Sequence, residues 1–236
     1  AEILRVAAIQ NAPAIVVDQS YTCQCAHTSL DNQQVHIQYQ PSQNKQSSSI
    51  VPLDLNIPLL GKHQADNAAT AVATLEVLHD AGFKLNKESI QHGFQDVHWQ
   101  TRFELLRKEP PLIADAAHNG DSILKLRQAL DDYFPGLPFI LLFGASADKS
   151  LATMLDIIMP RVDAVVCTQS IHPRAADAYD LQKLIEPYGK PVYAEVPAEA
   201  GLAKALELAG NSKGIIATGS LFLAAATRAI WRKDYQ

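Results

Sequence analysis

From about residue 99 to its end, the chain repeats one pattern five times: a short apolar run, then a helical pattern. The runs are Leu112 to Ala117, Pro138 to Gly144, Ala164 to Thr168, Pro191 to Val196 and Gly214 to Thr218. The helices read as Asn119 to Phe134, Ser150 to Met159, Asp180 to Tyr188, Ala198 to Ala209 and Ser220 to Trp231. Runs this nearly continuous in apolar residues suit strands buried on both faces, and a helix between consecutive strands brings each back parallel to the last. The expectation is an α/β fold with a parallel sheet covered on both faces and right-handed crossovers.

The first 97 residues have a different texture. AEILRVAAIQ reads as the end of a helix rather than the start of a domain, which fits truncation, although tag removal or processing would give the same start. PAIVVD at 13–18 reads as a short buried strand after a proline stop. VHIQY at 35–39 alternates apolar with polar, as does 51–57, with Val51, Leu53, Leu55 and Ile57 on one face. Between them QPSQNKQSSS offers nothing to a core, so the pair reads as an antiparallel hairpin on a long polar loop. HQADNAATAVATLEVLHDAGF is an alanine-rich helix with Val72, Leu75 and Leu78 facing inward and Gly82 as its stop. A second helix runs from Lys87 to Phe94 behind an Asn86 cap. The boundary between the two textures falls at 97–101.

The 236 residues, 47% of them hydrophobic, suit one large domain or one domain plus a piece of another. A formal charge of -5 gives no general attraction for nucleic acid or an anionic membrane, so an anionic ligand must be held by local groups. No apolar stretch approaches the length of a membrane span. Cys23, Cys25 and Cys167 are too few for a disulfide framework, and the spacing of the first two does not suit a metal pair. The chain reads as cytoplasmic, with reduced thiols and no metal site. No G-x-G-x-x-G follows a strand, and G-x-x-x-x-G-K-[ST] is absent. Gly144-Ala-Ser146 lacks the closing glycine of a nucleophile elbow.

In parallel sheets ligands sit at the carboxyl ends of the strands. Those ends carry Asp115-Ala-Ala-His118-Asn119, Gly144-Ala-Ser-Ala-Asp148-Lys149, Thr168-Gln-Ser-Ile-His172-Pro173-Arg174 and Thr218-Gly219-Ser220. Asn119, Ser150 and Ser220, taken singly, are better read as helix N-caps. Asp115 differs because it sits inside an apolar run, where a carboxylate needs a partner. It is equally a candidate for a ligand hydroxyl or cation and for a structural salt bridge. His118 taken alone is better read as a satisfied polar residue than as a catalyst, and its place three residues after Asp115 at a strand end leaves both readings open.

Leu59-Leu-Gly-Lys-His63-Gln64-Ala-Asp-Asn67-Ala-Ala resembles the L-x-G-x-H-Q-x-x-N-A motif of folylpolyglutamate/dihydrofolate synthases, members of the Mur ligase superfamily. Trp99-Gln-Thr-Arg102-Phe-Glu104 is similar to their W-P-G-R-x-E, and Asp115-Ala-Ala-His118-Asn119 to their D-G-A-H-N. Phe143-Gly144 with Asp148-Lys149, and Thr218-Gly219-Ser220-Leu221, resemble two further signatures. The motifs recur in family order from about residue 13 to 231.

The resemblance implies that residues 98–236 form a Rossmann-like C-terminal ligase domain, its mostly parallel sheet flanked by helices, and that 1–97 end a central ATPase-like domain. It implies an ATP-dependent ligase that joins L-glutamate to a folate or dihydropteroate carboxylate through an acyl phosphate, working as a monomer. The phosphate cradle and the Mg2+ ligands would lie outside this chain, leaving it inactive by itself. Carried over by motif, Asn67 would contact the adenine end of ATP, Arg102 the phosphates and Asp115 the ribose, with His118 alongside the nucleotide. Arg102 and His118 would be catalytic. Ser220, Asp148 and Lys149 would lie on the glutamate side.

Two departures stand out. Gln-Thr precedes Arg102 where the family has Pro-Gly, which narrows the backbone conformations there. Ala follows Asp115 where the family has Gly, and Gly follows Asn119 where it usually has Pro. Two other readings compete: another Mur-type ligase, of the cell-wall precursor or cyanophycin kind, and a non-catalytic Rossmann-like binding module. His63-Gln64 before Asn67, and the Thr218-Gly-Ser-Leu segment, fit the folate branch better.

Overall fold

The computed structural model describes residues 2–41, 47–146 and 151–235. They fall into two compact units, residues 1–98 and 99–236.

The first unit begins with α1 (Glu2–Ile9), α2 (Val17–Ser20) and β1 (Tyr21–Thr28). It continues with β2 (Gln33–Tyr39), β3 (Leu53–Ile57), α3 (Lys62–Asp80) and α4 (Lys87–Gln95). The strands form an antiparallel sheet in the order β1-β2-β3. Val35 and Ile37 of β2 and Leu53, Leu55 and Ile57 of β3 share its buried face, as their alternation requires. Helix α3 covers that face with Ala65, Ala68, Ala69, Val72 and Ala73, whose small side chains let the helix lie close to the strands. Asn86 caps α4, its Oδ1 accepting the Ser89 N–H at 2.7 Å.

Several expectations need correction here. PAIVVD is no strand: 12–16 are irregular, Ile15 is exposed and α2 starts at Val17. Among the described residues the run has no strand beside it, and an apolar sequence without a hydrogen-bonding neighbour gains nothing by extending. Val72 and Leu75 pack on the core as expected, but Leu78 faces solvent, because the alanine stripe meets the sheet on a different line of the helix. Strand β1 carries no clear alternation; pairing with β2 from Tyr21 to Thr28 makes it a strand.

The second unit starts with β4 (Glu104–Arg107), β5 (Leu112–Ala114), α5 (Gly120–Tyr133), β6 (Phe139–Phe143) and α6 (Leu151–Ile158). Then come β7 (Val162–Cys167), α7 (Ala178–Ile185), β8 (Val192–Ala194), α8 (Ala198–Ala209), β9 (Gly214–Thr218) and α9 (Leu221–Asp234). The six-stranded sheet has the order β4-β5-β9-β6-β7-β8. All neighbours are parallel except β4, which is antiparallel to β5 at one edge. β4 was not foreseen, since four residues, ELLR, hold too little pattern to declare a strand. The run from Leu112 is shorter than expected: β5 ends at Ala114, so Asp115 is the first residue beyond it.

Ile140, Leu142, Val166, Ile215 and Ala217 meet Leu202, Ala205, Leu223 and Ala224 of α8 and α9 on one face. Their neighbours Leu141, Phe143, Val165 and Ile216 are equally buried on the other. Since β9 is inserted between β5 and β6, the carboxyl ends of these three strands come side by side. Gly219 makes this possible. It has φ +106, and a Cβ there would stand 2.8 Å from the Gly144 carbonyl oxygen and 2.8 Å from the Phe143 ring.

Candidate active site at the carboxyl edge of the parallel sheet

Arg102 occupies the tip of a turn whose flanks are buried. Thr101 and Phe103 are 4% and 3% exposed, whereas Arg102 is open to solvent. Both flanking residues have left-handed backbones, φ +56 at Thr101 and φ +47 at Phe103. Each such non-glycine residue stores on the order of 1–3 kcal/mol and persists only where the surroundings enforce it. Here they do. The Thr101 N–H donates to Glu104 Oε2 at 2.8 Å, and the Phe103 N–H to Asp115 Oδ2 at 2.7 Å. The Thr101 carbonyl accepts the Ala116 N–H at 2.8 Å, and the Phe103 ring packs on Tyr133. The family's glycine position is thus occupied by a threonine held in the conformation a glycine adopts freely.

Asp115, 9% exposed, uses its other oxygen to accept the Ala117 N–H at 2.8 Å. Its partners are therefore two backbone groups, one in the turn before β4 and one just after β5. Burial pushes its carboxyl above the ordinary range, while these two N–H groups and the nearby charges of Arg102 and His118 pull it back in part. His118 is exposed, and its Nδ1 lies 2.9 Å from the Ala116 carbonyl. A carbonyl only accepts, so Nδ1 carries the proton and, in the neutral ring, Nε2 is left as an acceptor.

His118 lines a cavity of about 170 Å³ with Ser146, Arg174, Gly219, Ser220, Leu221 and Phe222. Four separate strand ends supply it, after β5, β6, β7 and β9. The segment after β7 is tied to that after β6 through the Ala176 N–H donating to the Ala145 carbonyl at 2.8 Å. His172 of that segment stacks on Phe222 at 3.9 Å. Ser220 caps α9, its Oγ accepting the Leu223 N–H at 3.1 Å, so its hydroxyl hydrogen is free to point elsewhere. Asn119 likewise caps α5 in a reciprocal box with Ser122.

Asn67 belongs to the first unit. It is exposed on the first turns of α3, and its Nδ2 donates to Gln64 Oε1 at 3.0 Å. The start of α3 is itself fixed by Gln33, fully buried on β2, whose Nε2 donates to the Leu59 carbonyl at 2.6 Å and the Gly61 carbonyl at 3.0 Å.

The structure thus groups Arg102, Asp115 and His118 around the β5 end and places Ser220 on the same cavity as His118. Asp148 and Lys149 lie outside the described residues. Sequence reasoning noted Arg174 only as a strand-end residue. It missed Gln33, whose sole signal was a polar residue at a core position of an alternating strand.

The model of the family "Mur ligase, glutamate ligase domain" matches residues 101–221. The chain is 31% identical over 182 residues to a probable bifunctional folylpolyglutamate synthase/dihydropteroate synthase of Haloferax volcanii, covering 77% of this chain and 21% of that protein. Its structure is similar to that of Mycobacterium tuberculosis folylpolyglutamate synthase complexed with ADP. There the TM-score is 0.82 and the identity 26%, over 99% of this chain and 52% of that one. It is also similar to a bifunctional folylpolyglutamate synthase/dihydrofolate synthase with Mn, AMPPNP and L-glutamate bound, with TM-score 0.72 and 27% identity, over 97% and 50% of the two chains. The chain spans about half the length of these solved relatives and a smaller share of the Haloferax protein.

Proposed function

The chain belongs to the folylpolyglutamate synthase/dihydrofolate synthase family of Mur ligases, and from that premise we propose that it supplies the nucleotide and amino-acid contacts of an ATP-dependent ligase. The ligase adds L-glutamate to a folate or dihydropteroate carboxylate. The carboxylate oxygen attacks the γ-phosphorus of ATP and ADP leaves. The glutamate nitrogen then attacks the acyl carbon, phosphate departs and the amine loses a proton. The chemistry demands cations where phosphoryl charge accumulates and a place that holds glutamate with its amine free.

The cavity carries the reading. At about 170 Å³ it is well below the size of sites for drug-sized ligands, and it gathers Arg174, His118, Ser220 and the start of the 14-residue α9. A guanidinium, a hydroxyl and a helix N-terminus suit the carboxylates of an amino acid. His118 Nε2, an acceptor, suits a nearby amine. In this reading Arg102 meets the ATP phosphates, Asn67 the adenine and Asp115 the ribose, the last through lone pairs not taken by Phe103 and Ala117. Among the described residues no group of three His, Cys, Asp or Glu side chains is placed to hold a metal. In this reading the Mg2+ ligands and the phosphate cradle, for which the sequence has no motif, belong to the part of the ligase equivalent to the relatives' other half. No helix of the described residues is long and apolar enough to cross a membrane.

The test is glutamate-dependent ADP release by the complete ligase, offered dihydropteroate, tetrahydrofolate or a cell-wall peptide precursor. Release with either pterin supports the proposal. Release only with the peptide precursor moves the chain to another Mur-type activity. No release with any acceptor leaves a binding module. This chain alone should release no ADP.

A further inference from the structure

Arg102 projects from a turn that the local sequence disfavours, with a left-handed threonine on one side and a left-handed phenylalanine on the other. Two contacts enforce the Thr101 side: its carbonyl accepts the Ala116 N–H at 2.8 Å, and its N–H is held by a carboxylate. Glu104 Oε2 accepts the Thr101 N–H at 2.8 Å, and both Glu104 oxygens accept from Arg228 Nε, at 2.8 and 3.0 Å. Arg232 adds its charge 3.8 Å away. The Arg228 and Glu104 side chains are 15% and 20% exposed, so the pair is largely withdrawn from water, where held geometry counts for more than at an open surface. Without Arg228, Glu104 would gain by turning to solvent, and the Thr101 N–H would lose its acceptor. Arg228 stands on α9, the helix whose first turn lines the cavity.

We propose that Glu104 and Arg228 are a positioning pair that locks the 101–103 turn and thereby presents the Arg102 guanidinium. The pair touches no reactant; it acts through Arg102. The inference rests on the reading that Arg102 meets the ATP phosphates, and its test separates the two.

In the complete ligase, kcat and the KM for ATP are measured for Arg102→Ala, Glu104→Gln, Arg228→Met, Arg228→Lys and the double Arg102→Ala/Glu104→Gln. Melting temperatures are recorded alongside, and rates are taken where each variant is folded. Arg102→Ala should lower kcat about 10²- to 10³-fold, as for a lost transition-state donor. Glu104→Gln and Arg228→Met should each lower it about 10- to 100-fold, the scale of a misplaced but present catalytic group. Arg228→Lys, which keeps the charge, should recover most of the loss seen in Arg228→Met. The double variant should be no slower than Arg102→Ala alone, because a group already gone has nothing left to position. The inference is overturned if Glu104→Gln and Arg228→Met keep full kcat while Arg102→Ala does not. It is also overturned if the Glu104→Gln loss multiplies fully onto that of Arg102→Ala. An Arg102→Ala variant with unchanged kcat removes the phosphate reading itself, and the positioning role with it.

Discussion

The two units hold their candidate site residues by opposite means. In the first, the sheet is antiparallel and one-sided, and Asn67 stands on the helix that covers it. Its position is set by carboxamide side chains: Gln33 fixes the turn at Gly61, and Gln64 holds the Asn67 amide. In the second, the sheet is parallel and buried on both faces, so polar groups find room only at its edge. There the backbone takes over. Gly219 lets β9 approach β6, and Asp115 and Glu104 bind main-chain N–H groups around Arg102. Amide networks tolerate local adjustment, whereas a backbone held in the left-handed region has few alternatives. The first unit should therefore be the softer binding element and the second the rigid one.

The largest effect expected from this contrast is all-or-none. Residues 99–236 close a sheet between two helical layers and should melt cooperatively alone, as followed by calorimetry. Residues 1–98 should not. Their sheet has three strands and helix cover on one core, and α1 buries none of its residues, leaving Ile3 and Ile9 83% and 61% exposed. A cooperative melt of 1–98 alone would break the comparison.

In kinetics the two units should separate by parameter. Arg102→Ala should lower kcat about 10²- to 10³-fold. Asn67→Ala should instead raise the KM for ATP, by about tenfold, because an adenine contact is alike in ground and transition states. Steady-state assays of the complete ligase decide it, and a fall in kcat for Asn67→Ala would erase the distinction.

Stability should follow the same division. Gly219→Ala forces a Cβ against the Gly144 carbonyl in a left-handed residue and should cost more than about 3 kcal/mol in urea unfolding. Gln33→Leu strands two carbonyl acceptors and should cost less, about 1–3 kcal/mol.

Acidity sharpens the picture of the rigid unit. Because burial raises the Asp115 carboxyl, the folded state binds its proton more readily than the unfolded chain. Its contribution to stability is then complete below the ordinary carboxylate range and is lost as pH rises from that range through the raised value. Asp115→Asn should flatten this segment of the stability–pH curve. Arg102→Ala, which removes a charge that lowers the Asp115 value, should extend it to higher pH. The smallest effect belongs to Thr101→Gly. Loss of a buried side chain is offset by relief of the left-handed strain, so stability should change by no more than about 1 kcal/mol. A loss well above that would show that the turn is not strained.

What was legible follows from range. The five strand–helix repeats could be read because each strand is a continuous apolar run and each helix has a local start, such as Asn119 or Ser220. Strands β1 and β4 could not, because Tyr21–Thr28 and Glu104–Arg107 become strands through their neighbours and not through their own pattern. PAIVVD failed in the opposite direction, with strand-like residues and, among the described residues, no strand to pair with. Asp115 was visible as a carboxylate in an apolar run. That it accepts the Phe103 and Ala117 N–H groups was not visible.

By itself, then, the sequence determined the parallel sheet, the edge on which its polar residues gather and the family motifs those residues carry, because apolar period, capping and motif are all written within a few neighbouring positions. Only the tertiary structure decided that β9 lies between β5 and β6, that Arg174 joins His118 and Ser220 around one cavity, and that Arg228 reaches Glu104 from α9. These are contacts between residues tens to more than a hundred positions apart, and no local propensity encodes them. They exist because the strand order places β9 between β5 and β6, which brings strand ends distant in sequence to one edge.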